Sequence, residues 1–258
     1  MRIAIAGGTG TLGRHVVDAV RAAGHEPVVL SRSTGVDLLS GDGLDAAVDG
    51  AASVIDASAT SSTSTTASVE FFGTVTRTLL AAERAAGVTH HVAVSVIGAA
   101  KVNANYYAGK AVQEQLLMAQ HGGWSLLRAT QFHEFATQLV QHGTVGPLQV
   151  VPTMRSQPIA AAEVAAELVA IAVGDPRGLE PDLAGPQEER MADLVKRYLV
   201  ATGRPRPVLQ IPLPGAWGRG MRDGSLLPAP GTRRAGQTFD EWLRDAVTSH
   251  SDRSPGLG

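Results

Sequence analysis

The chain of 258 residues reads as an α/β protein built on a doubly wound parallel sheet. Three observations predict this. An apolar run, Ile3 to Ala6, opens into glycines at 7, 10 and 13 and then into a helical pattern. Further strand-like runs alternate with helical stretches through Arg128. Apolar residues make up 44% of the chain, enough for a large core.

Ile3 to Ala6 is apolar without alternation, as expected of a strand buried on both faces. Gly7, Gly10 and Gly13 follow with G-x-x-G-x-x-G spacing, and Val16, Val17, Val20 and Ala23 then recur at helical intervals until Gly24. A tight strand-to-helix turn excludes Cβ atoms, and a pyrophosphate must approach the backbone closely. The amino end of the helix contributes free N–H groups and a positive dipole. Gly7, Thr9, Gly10, Thr11, Leu12, Gly13 and Arg14 are therefore candidate dinucleotide-binding residues.

Pro27 to Leu30 reads as the second strand, followed by Ser31, Arg32 and Ser33. An NAD site places a carboxylate about 20 residues past the glycines, where it would repel a 2′-phosphate. Here that position holds Ser31 and Arg32, and no carboxylate appears before Asp37. Arg32 and Arg14 suit NADP(H) better than NAD(H), unless both are ordinary surface residues.

Val36 to Leu39 reads as a short third strand, with Asp37 near the adenine. Leu44 to Val48 is a short helix, and Val54 to Ala57 a fourth strand whose small end residues, Ala57 and Ser58, would let a cofactor pass. The Ser/Thr-rich run Ala59 to Ser68 is either a flexible polar loop or one that orders on cofactor binding. A helix is expected from about Val69 to Ala86, a fifth strand over Val92 to Ser95, a helix from Tyr106 to about Gln120, and a sixth strand over Trp124 to Arg128. His90 and His91, adjacent at a strand start, would face opposite ways and are poor joint metal ligands; no metal site is expected.

Beyond residue 143 the character changes. Leu148 to Val151 reads as an extra strand, and Ile159 to Val173, Met191 to Ala201 and Phe239 to Val247 as helices. The Gly/Pro-rich stretch 211–237 carries Trp217, Met221, Leu226 and Leu227, and reads as a substrate lid or a subunit contact. The expected division is a nucleotide-binding domain over 1–146 and a smaller substrate-binding portion over 147–258, with a disordered tail from about 249.

The net charge of −2 and scattered arginines argue against a nucleic-acid partner. The absence of cysteine excludes disulfides and thiolate chemistry. No apolar run approaches the roughly 20 residues that span a bilayer, and no signal peptide is visible. A cytoplasmic monomer or homodimer acting on a small molecule is expected.

Tyr106 and Lys110, four apart on a helix, share one face. An ammonium beside a phenol would lower its pKa, and Ser95 at a strand end could orient a carbonyl, so the three suit proton transfer during hydride transfer.

GGTGTLGR, VIDAS, Ser95 ahead of YYAGK, and LLRATQFHEF together resemble the short-chain dehydrogenase/reductase superfamily. More closely, the chain resembles its atypical branch of NmrA-like and nucleoside-diphosphate-sugar epimerase-like proteins, over about residues 1–170. AGP at 184–186 and FDEWL near the end are also similar. The resemblance implies a Rossmann-type fold whose substrate pocket is built by the carboxyl-terminal part. It implies that the glycine segment cradles the pyrophosphate and that Arg32 meets the 2′-phosphate. By the same resemblance, Ser95, Tyr106 and Lys110 are the catalytic set, and Ala129, Thr130, Gln131 and Phe132 line the nicotinamide side. Many members of this branch have lost or displaced the tyrosine while still binding NADP(H), and the Ser95 to Tyr106 interval here is short. The expectation is an NADPH-dependent reductase of a small apolar carbonyl or quinone. The alternatives are a cofactor-binding sensor without turnover and a sugar-nucleotide epimerase or dehydratase.

Overall fold

The computed structural model describes residues 1–251. In chain order the elements are β1 (Arg2–Ala6), α1 (Thr11–Ala22), β2 (Glu26–Leu30), α2 (Leu44–Val48), β3 (Ser53–Asp56), α3 (Thr65–Ala86), β4 (His90–Val96), α4 (Ala99–Val102), α5 (Tyr106–Met118) and β5 (Trp124–Ala129). There follow α6 (Phe135–His142), β6 (Thr144–Val145), β7 (Leu148–Pro152), β8 (Arg155–Ser156), α7 (Ala161–Ala172), β9 (Gly178–Leu179), β10 (Leu183–Ala184) and β11 (Glu189–Arg190). The last are α8 (Met191–Ala201), β12 (Val208–Ile211), α9 (Gly215–Arg222), β13 (Arg233–Arg234) and α10 (Phe239–Ser251).

Two compact units share these elements. The first combines Met1–Ala129 with Ala161–Leu183; the second combines Thr130–Ala160 with the chain from Ala184 on. This departs from the single boundary expected near residue 146: the chain leaves the first unit after β5 and returns to it for α7. Of the tail expected from about 249, residues 252–258 lie outside the described residues.

In the first unit, parallel strands run in the order β2-β1-β3-β4-β5. β9 and then Leu183 of β10 continue along the far side of β5. β1 is paired on both sides, by β2 and β3, and Ile3, Ala4, Ile5 and Ala6 are fully buried, as their unalternating sequence requires. From β1 the chain goes to β2 on one side and then to β3 on the other. The carboxyl end of β1 is thus a topological switch point, where ligands of such sheets bind. α3 packs with α5, and α1 with α7. Leu30, Leu44, Val48, Val54, Val75 and Leu79 form one core cluster. Each such side chain contributes roughly 1.5–3 kcal/mol on burial.

The strand expected over Val36 to Leu39 does not form. Asp37 Oδ1 accepts from the N–H groups of Leu39 and Ser40 at 2.8 and 3.3 Å, a local turn that competes with sheet pairing. α3 starts four residues before the expected Val69, because Ser64 caps it by accepting from Ala67 N–H. His90 and His91 face opposite ways: His90 bonds Ser125 and the Gly174 carbonyl, and His91 bonds Glu83.

In the second unit, β12, β7 and β6 form a small sheet, so the strand expected at Leu148 to Val151 belongs here. α8 buries Met191, Leu194, Val195 and Leu199. The stretch 211–237 contains α9, and its Met221 and Leu226 are buried. Among the described residues no helix is long and apolar enough to cross a membrane, and no group of three or more His, Asp or Glu could hold a metal ion.

Candidate functional site

Gly7 turns the chain out of β1 with φ +72°, and its N–H donates to the Leu30 carbonyl at 3.1 Å. A Cβ there would lie 2.8 Å from Ala57 O and 2.9 Å from Ser58 Cα, so the chain leaving β3 passes directly against the turn. Gly10 N–H donates to Gly7 O at 2.9 Å, and a Cβ on Gly13 would lie 2.0 Å from that same oxygen. The two glycines meet the conformational and packing demands read from their spacing. α1 begins at extended Gly10 with no side-chain cap and no acidic residue in its first turn. Its positive end therefore has no carboxylate competing for an anion.

Ala57 and Ser58 follow β3 beside this turn. The Ser58 hydroxyl, 3% exposed, has no hydrogen-bond partner among the described residues, an orphan that a bound polar group would satisfy. These features together fit a dinucleotide pyrophosphate. Thr9 and Arg14 are exposed and Thr11 is half-buried, whereas Leu12 is buried with Val16 and Val17. Leu12 thus contributes a core side chain.

Ser31 follows β2 and opens a short turn, its hydroxyl 2.9 Å from Ser33 Oγ and 3.3 Å from Thr34 Oγ1. Arg32 is exposed and forms no ion pair among the described residues. Asp37 holds its own turn, as described above.

Tyr106 is the first residue of α5, and its hydroxyl bonds no described residue. Its ring stands edge-on to Phe72 at 5.3 Å and to Tyr107 at 6.2 Å. Burial, reinforced by the negative charge of Asp56, pushes the phenol above its ordinary pKa. This corrects the expected lowering by Lys110, whose ammonium is engaged elsewhere. Lys110 Nζ donates to Val94 O at 2.9 Å and to Gln113 Oε1 at 3.0 Å, and sits over the Phe72 ring. Burial lowers its pKa to about 8, against the opposing pull of Asp56 and Glu114.

Ser95 does not hydrogen-bond Tyr106. Its hydroxyl donates to Glu114 Oε1 at 2.5 Å, while Glu114 Oε2 accepts from Arg128 Nη2 and Nε at 2.6 and 3.1 Å. Arg128 stands opposite Ser95 in the β4–β5 register. Glu114 lies eight residues past Tyr106 on α5, about 12 Å along the helix axis.

Sequence reasoning also missed Asp56, which is fully buried and accepts from Ser58 N–H at 2.9 Å and from Gln113 Nε2 at 2.8 Å. Lys110, Gln113 and Asp56 thus form a buried chain linking α5 to β3 and β4. A carboxylate inside the apolar run VIDA was the signal for it.

Ala129 ends β5, its carbonyl accepting from Ile97 N–H at 3.0 Å. Thr130, Gln131 and Phe132 belong to the second unit. There Thr130 Oγ1 accepts from Gly185 N–H, Gln131 O from Ile159 N–H, and Phe132 bridges to Ile159.

No protein-family model matches the chain, and no curated protein does. Solved structures do match along its whole length. A short-chain dehydrogenase/reductase superfamily protein from Agrobacterium tumefaciens with bound NAD is 19% identical with a TM-score of 0.67, covering 98% of each chain. An NAD-dependent NDP-hexosamine 5,6-dehydratase of tunicamycin biosynthesis is 18% identical with a TM-score of 0.73, again covering 98% of each chain. An NADPH-dependent quinone oxidoreductase from Escherichia coli is 17% identical with a TM-score of 0.64, covering 95% of this chain and 99% of that one. At these identities the likeness is one of fold.

Proposed function

We propose that the chain, whose Rossmann-type fold is that of short-chain dehydrogenase/reductase and nucleotide-sugar epimerase proteins, binds a nicotinamide dinucleotide, NADP(H) in preference to NAD(H), and reduces a small, fairly apolar carbonyl or quinone compound. The observation that carries this reading is the glycine turn, closed by Gly13 against Gly7 O and by Ala57 and Ser58 against Gly7.

Gly7, Thr9, Gly10, Thr11 and Gly13 would hold the pyrophosphate, Ser58 would supply its unpartnered hydroxyl, and Arg32 with Ser31 and Arg14 would meet a 2′-phosphate. The bound cofactor supplies a hydride. At the carbonyl oxygen, Tyr106 donates a hydrogen bond and then its proton. A phenol held protonated by burial and by Asp56 suits an acid in reduction better than a base in alcohol oxidation. Lys110, through the Val94 carbonyl, and Glu114, through Ser95, hold α5 against β4.

One observation favours a second reading, an NADP(H)-binding sensor without turnover: Ser95 and Lys110 both spend their hydrogen bonds internally. Calorimetric titration with NADPH and NADH, followed by a carbonyl and quinone panel watched at the nicotinamide absorbance, tests both. Preferential NADPH binding with oxidation supports the reductase. Binding without oxidation across the panel supports the sensor, and no binding overturns both.

A further inference from the structure

The residue before Tyr106 has an unusual backbone. Asn105 is the N-cap of α5 with φ +53° and ψ −131°, a region that glycine adopts readily and that residues with a Cβ rarely do. Asn103, two residues earlier, has φ +42°. These are the two non-glycine residues with positive φ among the described residues, and both lie in the short link that delivers Tyr106.

Asn105 does not cap its own helix with its side chain. Its Nδ2 donates to the Thr63 carbonyl, and its backbone N–H donates to Thr65 Oγ1 at 2.8 Å. Thr65 opens α3, and Thr63 belongs to the polar segment 59–64, which begins where Ser58 leaves the glycine turn. Two hydrogen bonds therefore tie the start of α5 to the chain running out of the cofactor cradle. A glycine at 105 would hold the backbone without strain but lose the amide bond to Thr63. An alanine would keep the strain and lose the bond that offsets it. An asparagine provides the bond, and its short polar side chain tolerates positive φ better than most.

We propose that Asn105 is a positioning residue for Tyr106, latching the proton donor to segment 59–64, so that the order of that segment and the presentation of the phenol are coupled. The inference rests on the reductase reading for Tyr106's role, but the latch itself can be measured without turnover.

The test uses Asn105→Ala, Asn105→Gly and Thr65→Val in the full chain, with three measurements: NADPH affinity by calorimetry, kcat and KM with a compound that the parent reduces, and phenolate absorbance against pH. The chain has three tyrosines, so subtraction of a Tyr106→Phe titration isolates Tyr106. In the parent, Tyr106 should remain protonated at about pH 10, where an ordinary tyrosine is half ionised. Asn105→Ala should bring its titration down toward that value as the latch opens to water, and lower kcat at least tenfold with NADPH affinity unchanged. Asn105→Gly and Thr65→Val should shift the titration less, because each keeps part of the latch or relieves the strain. A Tyr106 titration identical to the parent's in a folded Asn105→Ala protein overturns the proposal, as does NADPH affinity falling in step with kcat. If Asn105→Ala does not fold, unchanged titrations in the other two variants overturn it. A parent that reduces nothing overturns the reductase reading alone, and the titration still decides the role of Asn105.

Discussion

The Lys110 ammonium lies 4.3 Å from the centroid of the Phe72 ring. Phe72 also presents its ring to Tyr106, so one aromatic side chain from α3 contacts both members of the Tyr-Lys pair. The ammonium's hydrogen bonds lead to β4 and Gln113, away from the phenol. Its charge therefore anchors the helix more than it activates the tyrosine.

The first prediction follows from that burial. Lys110 has a folded-state pKa of about 8, below the ordinary value of 10.5. Between those values the unfolded chain binds more protons at this site than the folded one, so the site's contribution to stability rises with pH there. Thermal melts from pH 7 to 10.5 should show Lys110→Met losing this contribution. Equal pH dependence in parent and variant would count against a buried, depressed lysine.

Tyr106 and Ser95 should separate cleanly. Tyr106→Phe should lower kcat by about 10²–10⁴-fold, the usual worth of a general acid, with NADPH affinity within a factor of about two. Ser95→Ala should instead act on stability, by about 1–3 kcal/mol, because it leaves Glu114 Oε1 buried without its donor. Steady-state kinetics and denaturant melts on the two variants decide it. A kcat loss in Ser95→Ala as large as in Tyr106→Phe would return Ser95 to the reacting centre.

The cradle makes a steric prediction. Gly13→Ala puts a carbon where Gly7 O already is, forcing α1 away from the turn. Overpacking of this kind costs about 1–3 kcal/mol or more, and calorimetry should find NADPH binding lost with it. Retained affinity would show that the turn does not hold the pyrophosphate.

The proposed preference for NADP(H) rests on Arg32. Hydrogen bonds to charged groups are worth about 1.5–3 kcal/mol, so Arg32→Ala should weaken NADPH by roughly 10–100-fold and leave NADH nearly unchanged. Paired titrations with the two cofactors measure the difference. Equal losses for both would remove the 2′-phosphate from the account.

Much of the fold was legible because its signals are local. The Ile3–Ala6 run, the glycine spacing and the valines of α1 each report on neighbours a few residues away, and they located the strand, turn and helix correctly. The strand expected at Val36 failed because a single Asp side chain offered the backbone a nearer partner. The site was legible in part. Four-residue spacing says that Tyr106 and Lys110 share a helix face, but it cannot say that Phe72 packs against both, or that Ser95 finds Glu114 two turns along. Those partners come from α3, α5 and β5, and only tertiary packing selects among them.

The return of residues 161–183 to the first unit bears on how the chain is made. α7 packs against α1, yet about 140 residues separate them, so α1 is left without this neighbour while β1 to β5 are already synthesised. At about 5–20 residues per second, the wait between β5 and the end of α7 lasts on the order of seconds. Through that interval the nascent chain carries an incompletely covered apolar face, and the first unit cannot finish folding before the second unit's first segment, 130–160, has emerged. Vectorial synthesis therefore interleaves the two units in time as well as in sequence.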